Sequence, residues 1–147
     1  MGGAYVLAED TGVGGVCGES GVVTVSKVAL WVRPGEMSQA FNFGDMFTDW
    51  KAPALRRIIK ESLTAVSGVG APSTWVLSNH DVVRHATRLA LKKDAPAQGS
   101  GIGPKTPGKP DRALGLRRAR AATSLMLALP GSSYIYQGEE LGLPEDM

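Results

Sequence analysis

Four consecutive polar residues, Ser78-Asn79-His80-Asp81, end the short apolar run Thr74-Trp75-Val76-Leu77. A carboxylate beside an imidazole at such a break is equipped to bind a metal, to hold sugar hydroxyls or to steady a positively charged transition state. The plainer alternative is a capped turn, because Asn and Asp are ordinary turn and N-cap residues. Arg84 and His85 stand about one helical turn further on, with Arg84 at i+3 from Asp81 and so spaced for an ion pair. A second acidic group, Gln137-Gly138-Glu139-Glu140, follows the run Ser133-Tyr134-Ile135-Tyr136. It reads equally as part of a site or as carboxylates favoured near a helix start.

Two other patterns carry no chemistry. Gly103 to Lys109 approximates a phosphate-binding loop, but Pro110 stands where a hydroxyl would meet magnesium. Its prolines also remove the N–H donors that phosphates require, and no strand feeds it. Gly12-Val13-Gly14-Gly15-Val16-Cys17 misses the dinucleotide fingerprint at its last glycine. The one cysteine, Cys17, excludes an internal disulfide framework and a Cys-rich zinc site. Neither a metal nor a cofactor is expected. Arg and Lys concentrate between Arg84 and Arg120, but without interleaved aromatics, and the net charge is only +2. Long Arg side chains commonly coat a helix, so no nucleic-acid partner is expected.

These residues need elements to position them. The strand-like run 74–77 has the profile of a buried parallel strand whose carboxyl end opens into a site. Ala40-Phe41-Asn42-Phe43 suits another short strand, and Ser133-Tyr134-Ile135-Tyr136 a last one. Pro53 suits a first helical turn, and Leu55, Ile58, Ile59, Leu63 and Val66 form an apolar stripe opposite Arg56, Arg57, Lys60 and Glu61. Val82 to Leu91 reads as a second helix. Asp111 is placed to cap a third, from Arg112 to about Leu129, which Pro130-Gly131 ends. Residues 1–25, crowded with glycine and containing Val22-Val23-Thr24-Val25, read as turns and short strands. Pro96, Pro104, Pro107 and Pro110 with four glycines make 94–111 a solvated loop. Strands alternating with long helices imply parallel βα units, in which chemistry gathers beyond the carboxyl ends of the strands.

The 147 residues suit one domain, and 43% apolar against 20% charged residues is enough for a buried core. No apolar run approaches the roughly 20 residues of a membrane span. The start, Met1-Gly2-Gly3-Ala4-Tyr5-Val6, lacks the basic and apolar regions of a signal peptide. A soluble, cytoplasmic protein with no membrane partner is the expectation.

Three segments together resemble one family. Thr74 through His85 is similar to the Asn-His-Asp motif of glycoside hydrolase family 13, the α-amylase superfamily, in its bacterial α-glucosidase and oligo-1,6-glucosidase branch. Leu129-Pro130-Gly131 through Leu143-Pro144 resembles the segment after that family's last barrel strand. Val32-Arg33-Pro34 through Gln39-Ala40-Phe41-Asn42-Phe43 resembles the segment around its sixth. The likeness covers roughly residues 29–147, with the motifs in the family's order.

The resemblance implies an α/β fold, a partial (β/α)8 TIM barrel comprising roughly strands five to eight with their helices. Residues 1–147 would then be a partial catalytic barrel domain, poorly matched over 1–25 and interrupted by the Gly/Pro-rich loop 94–111. The implied chemistry is retaining hydrolysis of α-linked glucosides, with an oligosaccharide or disaccharide as substrate. In the family a glutamate protonates the leaving oxygen while an aspartate attacks the anomeric carbon, the two carboxyl groups lying about 5–5.5 Å apart. Val16-Cys17-Gly18-Glu19 is similar to the acid/base position, which makes Glu19 its counterpart, although Ser20-Gly21 replace the family's aromatic follow-on. Asp81 matches the aspartate that holds sugar hydroxyls and favours the oxocarbenium-like state. His80 and Asn79 match substrate-binding positions, and Arg84 the cation that holds the carboxylates' charge in place. The nucleophile and the family's Asp-His pair have no counterpart among these residues. A trehalose-synthase-like glucosyl isomerase shares the same motifs, and an inactive truncated chain would keep them too.

Overall fold

The computed structural model describes residues 9–10, 16–18, 25–35, 37–42, 44, 48–91, 102 and 109–146. Their elements run β1 (Glu9–Asp10), β2 (Val16–Gly18), α1 (Val25–Trp31), β3 (Gln39–Ala40), α2 (Ala52–Ser67), β4 (Thr74–Val76), α3 (His85–Arg88), α4 (Arg112–Ala128) and β5 (Ser132–Tyr134). The chain divides into two compact units, one of residues 1–75 with 130–133, the other of 76–129 with 134–147.

In the first unit β1, β2 and β3 form a three-stranded sheet in that order. β2 and β3 are parallel, pairing Cys17 with Gln39 and Gly18 with Ala40, as alternating strands and helices predict. β1 and β2 are antiparallel, pairing Glu9 with Cys17 and Asp10 with Val16. The purely parallel expectation fails there for a simple reason. A parallel crossover needs a dozen or more residues, and 11–15 are too few.

α1 begins at Val25, the last residue of the β-branched run 22–25, whose other three residues lie outside the described residues, as do most of the turns and strands expected over 1–25. Val28 and Val32 are buried one helical turn apart and form a core with Ala40, against which Met37, Val69 and Ala71 pack. α2 matches its apolar stripe. Proline occupies its first turn, and Ser62 and Val66 are buried. Asn42 Nδ2 donates to Ser62 Oγ at 2.6 Å, which gives the buried amide and the buried hydroxyl a partner. The strand expected at 40–43 is limited to Gln39–Ala40.

β4 and β5 form a two-stranded sheet. Ser132 N–H donates to Ser73 O at 2.8 Å, and Trp75 Nε1–H to Pro130 O at 2.9 Å. Gly131, at φ +122°, sits so close that a Cβ there would lie 2.2 Å from Ser73 O. Only glycine satisfies both the backbone conformation and the approach.

In the second unit Asp111 caps α4, its Oδ1 accepting from Leu114 N–H at 2.9 Å. Gly115, Ala119, Ala122 and Met126 are the buried face of α4. Their small side chains let it approach α3. A Cβ on Gly115 would lie 2.1 Å from Ala86 O and 2.9 Å from Ala90 Cβ. Gly115→Ala should therefore destabilise the chain by about 1–3 kcal/mol through overpacking, although alanine is the better helix former. Urea unfolding of the two chains checks this, and a more stable Ala variant would contradict the packing.

α3 is shorter than the helix predicted over 82–91. The residues before it are held in other ways. Arg84 N–H donates to Glu145 Oε2 at 2.9 Å, and His85 N–H to Ser78 Oγ at 3.0 Å. Val83 is buried, and its carbonyl accepts from Arg88 Nη1 at 2.9 Å. These bonds satisfy the backbone ahead of α3 without an earlier helical turn.

Candidate active site

β4 is buried at all three positions, as its apolar run predicts, and the chain turns polar beyond it. Asn79 Oδ1 accepts Asp81 N–H at 3.0 Å, a side-chain-to-backbone turn across His80. That bond orients Asp81 and leaves its carboxylate in solvent. The His80 and Asp81 side chains are 65% and 69% exposed, and His80 Nε2 lies 3.5 Å from Asp81 Oδ1. An exposed carboxylate with an imidazole alongside offers two acceptors and a donor to a sugar's hydroxyls.

Arg84 has a different environment. Its Nη1 donates to Gln137 O at 2.6 Å, and its guanidinium lies 5.0 Å from the centre of the Tyr136 ring. With its N–H on Glu145, it ties the loop after β4 to the segment after β5. The structure thus groups Asn79, His80 and Asp81 in one turn and commits Arg84 to residues 136–145. Glu19 lies outside the described residues. Among the described residues no three His, Cys, Asp or Glu side chains are grouped to hold a metal.

Behind the turn is a buried polar cluster. His85 Nδ1 lies 3.1 Å from Glu139 Oε1, with side chains 3% and 2% exposed, and 3.2 Å from Ser78 Oγ. His85 Nε2 lies 3.5 Å from Thr123 Oγ1 on α4. Glu139 Oε2 accepts Tyr136 N–H at 3.0 Å, closing the turn after β5. Arg88 donates from Nη2 to Leu77 O at 2.6 Å and from Nη1 to Val83 O, gripping both sides of the 78–82 loop. Its pKa is pushed down to about 10 by burial, and the negative charge of Glu139 partly opposes that. Arg88 Nε and Glu139 Oε1 are buried without hydrogen-bond partners.

A serine, a histidine and a glutamate together invite comparison with a nucleophilic triad. The geometry excludes it. Ser78 and Glu139 both face the same imidazole nitrogen, whereas a triad uses one nitrogen for each. Ser78 is also fully buried, so no substrate reaches its oxygen.

Sequence reasoning did not assign roles to Ser78, His85 and Arg88, and left Glu139 between two readings. The available signal was His85 and Arg88 recurring at i, i+3 after Asp81. Burial of the two charged residues is what it did not reveal.

Residues 29–147 match the family model described as the alpha amylase catalytic domain. The chain belongs to the α-amylase catalytic domain family. Its structure is similar to the crystal structure of an alpha-glucosyl transfer enzyme, XgtA, determined at 1.72 Å, with 27% identity and a TM-score of 0.64. The match covers 89% of this chain and 21% of that one, so the chain spans about a fifth of the solved enzyme. No curated protein matches the chain. The (β/α)8 barrel is the fold this family implies, and the described elements are an α/β portion consistent with it. Among the described residues no helix is long and apolar enough to cross a membrane.

Proposed function

We propose that this chain serves a retaining, α-glucosidase-type reaction on α-linked glucosides, with an oligosaccharide or disaccharide as substrate, in the cytoplasm. The observation that carries the reading is the Asn79-His80-Asp81 turn beyond β4, with its carboxylate exposed and its backbone fixed. Asp81 would accept hydrogen bonds from two sugar hydroxyls and favour positive charge at the anomeric carbon. His80 would donate to a hydroxyl from the same side. Asn79 acts by holding the Asp81 backbone, and Arg84 by holding the loop against residues 136–145. Glu19 would protonate the leaving oxygen. The attacking carboxylate would come from sequence outside this chain.

The α-glucosyl transfer enzyme among its structural relatives favours one second reading, transfer of the glucosyl group to another sugar, including trehalose-synthase-like isomerisation. Both reactions form the same covalent glucosyl intermediate and differ in whether water or a sugar hydroxyl resolves it.

The test is a titration of the ¹⁵N-labelled chain with a malto- or isomalto-oligosaccharide. Shifts confined to Asn79, His80 and Asp81 are expected, with a Kd on the order of 1 mM or weaker for so few hydrogen bonds. Asp81→Ala should abolish them. Unchanged spectra at saturating sugar would sink the reading.

A further inference from the structure

We propose that His85 is a positioning residue for Asp81, held as the Nδ1–H tautomer between Ser78 and Glu139. The inference rests on the reading of Asp81 as the sugar-holding carboxylate and extends it to what keeps that carboxylate in place.

The proton assignment follows from three neighbours. Ser78 Oγ alone would be ambiguous at 3.2 Å from Nδ1, since a hydroxyl both donates and accepts. Glu139 resolves it. Glu139 Oε1 makes no hydrogen bond, but a carboxylate oxygen 3.1 Å from Nδ1 and almost fully withdrawn from water favours, by its charge, an N–H over a bare lone pair at that nitrogen. With the proton on Nδ1, the bare Nε2 faces Thr123 Oγ1, which has a hydroxyl proton to offer at 3.5 Å. Ser78 Oγ already accepts His85 N–H, so residues 78 and 85 are joined twice, once through the backbone donor and once through the ring.

Those two contacts close the loop that contains Asp81. Inside it, Asn79 holds Asp81 N–H. Beneath it, Arg88 grips the carbonyls of Leu77 and Val83. The imidazole lies against Glu139, whose other oxygen accepts Tyr136 N–H in the turn after β5. Losing the Nδ1 donor frees Ser78 from the ring and leaves Glu139 Oε1 facing no N–H on that side. The loop ends then separate more easily, and Asp81 moves with them.

The chain has only two histidines, and exposed His80 serves as an internal control. In the sugar-free labelled chain, exposed His80 is expected to average between tautomers. His85 should show a single Nδ1–H form with a bare Nε2. His85→Asn places an amide donor near the Nδ1 position and should keep the amide shifts of residues 79–81. His85→Gln places its donor near Nε2, and should displace those shifts and speed exchange of the amide at position 85 roughly tenfold or more. Sugar-induced shifts should survive in His85→Asn and vanish in His85→Gln. An Nε2–H tautomer in the wild-type chain overturns the proposal, even if neither variant folds. Equal spectra for the Asn and Gln variants over residues 79–81 overturn it as well. A wild-type chain with the expected tautomer and no response to sugar counts against the reading of Asp81, while the tautomer and exchange measurements still decide the role of His85.

Discussion

Arg88→Met should lower the stability of the chain by about 3–5 kcal/mol, because it removes a buried cation on which two buried carbonyls and a nearby buried carboxylate depend. Two losses combine. The carbonyls of Leu77 and Val83 lose their guanidinium donors. The Glu139 carboxylate, 2% exposed, loses the cation that opposes its burial. Against a typical total of about 5–15 kcal/mol, this leaves the variant close to unfolding. Arg88→Lys should fall between the two, because one ammonium cannot span both carbonyls as a planar fork does. Glu139→Gln alone should also be costly. The double variant Arg88→Met with Glu139→Gln should cost clearly less than the sum, since it removes the uncompensated charge. Urea unfolding of the four chains measures the coupling. Strict additivity would mean that the two residues are buried near each other without an energetic connection.

The pH dependence of this pair has a definite sign. The folded value of about 10 for Arg88 lies well below that of the free side chain. Between those limits the unfolded chain binds the additional proton, so the contribution of Arg88 to the unfolding free energy rises with pH there. Below about pH 10 both states carry the charge and its contribution is flat. Any stability change between pH 5 and 9 therefore has its source in other groups.

What the sequence revealed were the features encoded locally. The break from Trp75-Val76-Leu77 into Ser78-Asn79-His80-Asp81 marks the end of β4 because burial and exposure alternate within a few residues. α2 follows from its own stripe and Pro53, and the start of α4 from Asp111, since a cap is a contact between near neighbours. The parallel pairing of β2 with β3 accords with the strand–helix alternation, while the antiparallel β1 depends on a connection too short for a crossover. The buried cluster was not legible because its members come from three distant segments, and because Arg and Glu are residues that composition assigns to the surface. α3 was overextended for the same reason. His85 N–H goes to Ser78, and Arg84 N–H to Glu145 at the far end of the chain, which fixes the backbone ahead of α3 in a non-helical path. The likeness to family 13 carried what local chemistry left open, since a capped turn and a sugar-holding turn use the same residues.

The purified chain should hydrolyse an aryl α-glucoside no faster than its Asp81→Ala variant. Double displacement needs a carboxylate that attacks the anomeric carbon and a second that protonates the leaving oxygen. On the reading proposed above, the chain carries residues for hydroxyl binding and, in Glu19, the acid, but no nucleophile. Loss of one member of a catalytic set already lowers turnover by about 10⁴–10⁶-fold. The chain also spans only 21% of the similar solved enzyme, so much of the surface that would position the sugar lies elsewhere, and positioning supplies a large part of the rate. Asp81 cannot readily take over the attack. Its N–H is bound by Asn79 and its carboxylate lies beside His80 in open solvent, where water competes for every hydrogen bond it could make to an oxocarbenium-like centre. Turnover is read with a monodisperse preparation, so that contaminating glucosidase is separated by size and by the Ala control. Hydrolysis at the rate of a whole enzyme, abolished by Asp81→Ala, would mean that a nucleophile resides within these 147 residues. The carboxylates to replace next would then be Asp111, Glu139 and Glu140, of which buried Glu139 is the least able to reach a sugar.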